Sequence, residues 1–165
     1  MSDNYIQDAL KRVAAMEKES LATITGSKVD AVNYWPYQQE SFPYFVNRLG
    51  ETTYDFMAYS PDITVYPIRI MATLVVDHLT AGYKGEKADL TYQYLVAVED
   101  YFREHYDLTT ASTGLYPNPP DYLMEVEGEI IRSHSGLVSI ESTGIGVIQL
   151  GVVFTLELPF LRRQY

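Results

Sequence analysis

The chain contains no cysteine. That absence removes a disulfide framework, a thiolate metal site and a cysteine nucleophile, and leaves the compartment open. Positive charge is also scarce: twelve Lys and Arg stand against 22 Asp and Glu, a net charge of −10. Proteins that hold phosphates carry a basic footprint, so direct nucleic-acid binding is not expected. Long apolar runs are missing too. The longest, over residues 145–160, is interrupted by Gln149, Thr155 and Glu157 and falls short of the roughly 20 apolar residues that span a bilayer. The opening MSDNYIQDALKRV lacks the basic-then-apolar layout of a secretory signal, so neither export nor a membrane segment is expected.

What is present suits one folded unit. Hydrophobic residues make up 47 % of the 165 and charged residues 21 %, a balance that supports a single continuous core rather than a disordered chain. Residues 3–19 read as a helix, because Ile6, Ala9, Leu10, Val13 and Ala14 recur at three- and four-residue spacing behind a capping Ser2 or Asp3. Residues 21–47 read as an ordered but irregular linking region punctuated by Gly26, Pro36 and Pro43.

From residue 52 the period changes to two. Residues 52–59 form a candidate strand, and Ser60-Pro61-Asp62 turns the chain into a long strand over 63–78. Tyr66, Ile68, Ile70, Ala72, Leu74 and Val76 share its core face. Val65, Arg69, Met71, Thr73, Val75 and Asp77 form a mixed face suited to a neighbouring chain. Pro67 has no N–H to donate, so a bulge or a local edge is expected near the start of this strand. A second helix is expected over 87–105, with a stripe of Leu90, Tyr94, Leu95, Val98, Tyr101 and Phe102 and with Glu99, Asp100 and Glu104 towards solvent. Residues 106–121 read as a long loop, rich in Thr and Pro, of the kind that is functional or disordered, with Leu115 and Tyr116 as apolar anchors that order against a neighbouring subunit or a stacked ring.

The final third reads as an antiparallel meander: a strand over 122–132, a turn at 133–136, a short strand over 137–141, a turn at 142–144 and a last strand. In that last strand Ile148, Leu150, Val152, Phe154, Leu156, Leu158 and Phe160 share one face, the strongest core signal in the chain. The expected fold class is therefore α+β, a single domain over residues 1–165 with a mainly antiparallel sheet packed by two helices.

No catalytic constellation emerges. His78, His105 and His134 fall on three different elements without metal-ligand spacing, and read as a strand-end residue, a residue at a helix C-terminus and a turn residue. Glu125, Glu127 and Glu129 stand in a row on one strand face, whereas glycosidase carboxylates flank the scissile bond from opposing sides. The glycines at 144 and 146 precede a strand rather than a helix, and no phosphate-binding lysine follows. No cofactor, metal or catalytic residue is expected. Fifteen Tyr, six Phe and one Trp exceed what two helices and one sheet face need. Aromatics suit subunit interfaces, and the cluster Tyr34, Trp35, Tyr37, Phe42, Tyr44 and Phe45 serves either as an interface or as a flap over the sheet.

Three stretches, SFPYFVNRLG, DITVYPIRIMATLVVDHLTAGYKGE and LTYQYLVAVEDYFREHYDL, together resemble the tail terminator (tail completion) proteins of long-tailed bacteriophages. The shared pattern is an aromatic Phe-Pro segment, a long strand with an embedded Arg, a corner at His78-Leu79-Thr80-Ala81-Gly82-Tyr83-Lys84-Gly85-Glu86, and an amphipathic helix ending near aromatics. It covers residues 41–108. The resemblance implies a structural virion protein without catalytic residues, assembled in the host cytoplasm as a ring, usually of six copies. Such a ring caps the last ring of the major tail tube protein and faces a head-completion or connector protein, with DNA passing through the lumen without specific binding. An acidic lumen suits that passage, since it repels phosphate. Interface candidates are Tyr34, Trp35, Phe42, Tyr44, His78, Gly82, Tyr83, Lys84, Glu86, Leu115 and Tyr116. The alternative from the residues alone is a non-catalytic glycan- or peptide-binding module using the aromatic 34–45 segment.

Overall fold

The computed structural model describes residues 5–33, 41–51, 57–60, 63–78, 86–106, 108, 129–141 and 148–163. These form one α+β domain whose mixed sheet is mostly antiparallel. Helix α1 (Tyr5–Ser20) carries Asp8 in its first turn and Lys18 in its last, both favourable to the helix dipole, and buries Ala9, Val13, Ala14 and Met16 along one stripe. A short helix α2 (Ala22–Thr25) follows and stops at Gly26, whose φ of 78° places it in the left-handed region and lets its N–H reach the carbonyl of Ala22.

Strands β1 (Asp30–Val32), β2 (Tyr44–Leu49), β3 (Met57–Ser60) and β4 (Ile63–His78) come next. Helix α3 (Glu86–Glu104) then leads to β5 (Ile131–His134), β6 (Val138–Glu141) and β7 (Ile148–Arg163). The sheet order is β1-β2-β4-β7-β5, with β3 added to β4 and β6 to β7. Among the described strands only β1 and β2 run parallel. No helix among the described residues is long and apolar enough to cross a membrane.

The central event is the pairing of β4 with β7, which runs without interruption from Ile63↔Arg163 to Val75↔Gly151. Both helices cover one face of this ribbon. Ile68, Ile70, Leu74, Val152, Phe154, Leu156 and Leu158 are buried there against Val13, Met16, Val98 and Phe102. The alternation read from the sequence for β4 and β7 places these side chains correctly, although Ile148 at the start of β7 is exposed. The opposite face of the sheet holds a smaller cluster of Tyr44, Val46 and Val75.

Three differences from the sequence reading have physical causes. The linking region is not irregular: it contains α2, β1 and β2. Strand β2 escaped detection because Tyr44, Phe45, Val46 and Asn47 are all buried, so both faces are covered and no polar alternation marks the strand. Pro67 itself lies in regular register opposite Pro159, and among the described residues β4 pairs with β3 over Ile63–Val65 and with β2 over Ile70–Val75, with the proline between them, as the local-edge alternative expects. A bulge does occur, but between Val75 and Asp77. Finally, β5 and β6 do not form a meander. Each pairs with β7, and Ser133 and His134, read as a turn, belong to β5. Residues 122–128 of the expected 122–132 strand, residues 52–56 of the expected 52–59 strand, the 106–121 loop except Tyr106 and Leu108, and the turns at 61–62 and 142–144 lie outside the described residues.

Gly151 shows how tightly the ribbon is built. A Cβ there would collide with the carbonyl oxygen of Leu74 and stand 2.6 Å from Cδ1 of Ile140. The backbone oxygen cannot rotate away as a flexible side chain would, so Gly151→Ala is predicted to cost about 1–3 kcal/mol in denaturant melts. Phe154→Ala, which empties the most continuous buried face, should cost about 3–5 kcal/mol. Gly136→Ala meets open space and should stay within about 0.5 kcal/mol of the parent. Equal effects at Gly151 and Gly136 would contradict the packing described.

Candidate functional site

The interface residues expected from the sequence are partly brought together. Phe42 precedes β2 and His78 ends β4, yet their rings meet edge to face with centroids 4.7 Å apart. Phe42 also leans on Tyr44, at 5.7 Å. The bulge after Val75 explains this meeting. Strict alternation would send His78 to the helix-covered face with Leu74 and Val76; the extra residue turns it to the opposite face, where it pairs with Gln149.

Tyr44 is wholly enclosed, and its hydroxyl donates to Oε1 of Gln149 at 3.1 Å. It therefore braces this end of the sheet from within, while Phe42 and His78 form a half-buried rim. Glu86 is the first residue of α3. Tyr34, Trp35, Gly82, Tyr83, Lys84, Leu115 and Tyr116 lie outside the described residues.

The other residues considered for chemistry are dispersed. His105 sits after α3 with Nδ1 2.8 Å from the Tyr101 carbonyl and its ring stacked on Tyr101 at 4.0 Å. His134 pairs with Glu99 at 3.2 Å, and Glu129 pairs with Arg103 at 2.9 Å. Glu125 and Glu127 lie outside the described residues. Among the described residues no three His, Asp or Glu side chains converge as a metal site.

Two features were not anticipated. One is a groove of about 780 Å³ between the end of α1, α2 and the outer side of α3. Tyr92 and Val96, 59 % and 58 % exposed, stand four residues apart on α3 just off its buried stripe, and Ile24 and Tyr101 complete the apolar floor. Among the described residues three carboxylates, Glu19, Asp100 and Glu104, and no cation line the groove. Burial, with the Glu19 carboxylate second, pushes the Tyr101 phenol up to about 12. The signal was the offset pair Tyr92 and Val96, which the core stripe does not need.

The other feature is Glu17, 1 % exposed between α1 and β2. Asn47 Nδ2 donates to its Oε2 at 2.7 Å and also reaches Asn33 Oδ1 at 3.1 Å. Among the described residues Glu17 Oε1 has no hydrogen-bond partner. Desolvation dominates this site, the Asn47 bond opposes it only in part, and the carboxyl is pushed up to about 8.

The sign of the linkage follows from that raised value. Below about pH 4.5 the group is protonated whether the chain is folded or not, and its contribution is fully present. Between about 4.5 and 8 only the unfolded chain ionises, so stability falls as pH rises, by at most about 1.4 kcal/mol per unit, and the loss levels off above about 8. Glu17→Gln should remove this slope and be more stable than the parent at pH 8; parallel pH–stability curves for the two proteins would contradict the assignment. No protein-family model matches the chain, and no curated protein matches it.

Proposed function

We propose that this protein is a ring-forming structural component of a long-tailed phage, a tail terminator that caps the head-proximal end of the tail tube, stops its elongation and offers the surface for head joining. One observation carries the reading. The blocks that resemble that family over residues 41–108 occupy β2, β4 and α3, and the first block and the corner meet through Phe42 and His78. The embedded Arg69 of the long strand faces Glu157 across the β4–β7 ladder at 3.4 Å, so it serves the ribbon itself.

A net charge of −10 suits a lumen through which DNA slides without binding. The ring partners are further copies of this chain, the tail tube protein below and a connector protein above. The alternative, a glycan- or peptide-binding module on the aromatic 34–45 segment, loses Tyr44 as a platform, because that ring is enclosed.

The test is negative-stain imaging of the purified protein with tail tubes, alongside light scattering of the protein alone. Rings or capped tube ends are expected, with an oligomer or a concentration-dependent shift in mass. A strict monomer that leaves tube ends bare would overturn the proposal.

A further inference from the structure

Helix α1 meets the sheet in a buried polar contact that is one hydrogen short. Asn47 Nδ2 donates one hydrogen to Glu17 Oε2 at 2.7 Å and the other to Asn33 Oδ1 at 3.1 Å, with both Glu17 and Asn47 buried. An amide nitrogen has two hydrogens to give, so both are used and the orientation of the amide is fixed. Flipping it would set Asn47 Oδ1 against the Glu17 carboxylate.

Two acceptors are then left over, Glu17 Oε1 and Asn47 Oδ1, both buried and neither with a donor among the described residues. They belong to the two groups that already touch. A neutral acid and an amide can close a second bond, O–H···O, beside the N–H···O bond, whereas a carboxylate cannot. One proton on Oε1 therefore serves both atoms, each of which would otherwise carry the cost of an unmade buried hydrogen bond.

Among the described residues no neighbouring charge supplies another remedy. On its own helix Arg12 holds Asp8 at 2.8 Å and reaches the Leu108 carbonyl, Glu19 holds Lys28, and Lys11 and Lys18 are exposed. Asp30 of β1 and Arg48 of β2 are exposed, and α2 carries no charged residue. On α3, Glu99 holds His134, Asp100 holds Arg103, and Asp89 and Glu104 are exposed.

We infer that Glu17 is held as the neutral acid, its Oε1–H donating to Asn47 Oδ1, and that this proton latches α1 onto β2 until its loss to solvent loosens the N-terminal segment from the sheet. The topology confines that effect. Strand β1 enters the sheet at its edge, through three residues paired with β2, so α1, α2 and β1 can lift without breaking the β4–β7 ladder. Once ionised, Glu17 is a buried anion with a single donor, and lifting α1 rehydrates it. The same movement uncovers Val13 and Met16 and removes the Glu19 and Ser20 wall of the groove. The latch does not depend on the ring reading.

Two measurements test it. Infrared difference spectra between about pH 6 and about pH 9 should show a protonated carboxyl disappear in the parent and have no counterpart in Glu17→Gln. Amide hydrogen exchange then reads the consequence, with parent and Glu17→Gln compared at the same pH so that the intrinsic rate cancels. The glutamine Nε2 supplies the donor that Oε1–H supplies in the acid, so at about pH 6 both proteins should protect α1 alike. At about pH 9 the α1 amides of the parent should exchange at least about tenfold faster than those of the variant. Weak urea dependence should mark that opening as local, with β4 and β7 better protected in the same sample.

Four results overturn the inference. One is the absence of a Glu17-dependent protonated carboxyl at about pH 6, and another is α1 exchange that matches the variant at both pH values. A third is α1 opening only together with β4 and β7, which would make Glu17 a burden on global stability and no latch. The last is a Glu17→Gln protein that fails to fold, since the amide is required to replace the acid.

Discussion

Every other strand depends on the β4–β7 ladder. β2 and β3 pair with β4, β5 and β6 pair with β7, and β1 joins only through β2. The helices have no separate core: their apolar stripes close over Ile70, Leu74, Val152 and Phe154 of the same two strands. An antiparallel ribbon of this length holds its register because a one-residue slip would carry each of these side chains to the wrong face. Gly151 and the bulge after Val75 are the local costs of that closeness. The first lets the Leu74 carbonyl approach β7, and the second re-aims His78.

The ribbon also separates the molecule's surfaces. Its middle is sandwiched between the helices and the Tyr44 cluster, its His78 end meets Phe42, and its Arg163 end pairs with the first residue of β4, well away from the helices. The acidic groove is built by α1, α2 and α3 on the covered middle.

Elements with one wet face could be read from the sequence. The long strand over 63–78, the second helix and the core face of the last strand stand within a residue or two of where their periodicity puts them. Elements buried on both sides could not. Tyr44 to Asn47 has no polar alternation, and its partners, Glu17 from one face and Gln149 from the other, are more than twenty residues away in sequence. Glu17 itself occupies a helix position that composition assigns to solvent; only the arrival of β2 makes it a buried acid. The pairing of both β5 and β6 with β7 was likewise hidden, because turn signals show where a strand ends and not which strand it joins. At the site, Phe42 and His78 were legible as residues, but their contact depended on a bulge that no residue type announces.

The central proposal is that copies of this chain assemble into a closed ring. Native mass spectrometry with class averaging of the self-associated protein tests it most directly. The account predicts closed cyclic particles of more than two copies, each related to the next by the same rotation. A two-fold dimer burying one surface against itself would contradict it.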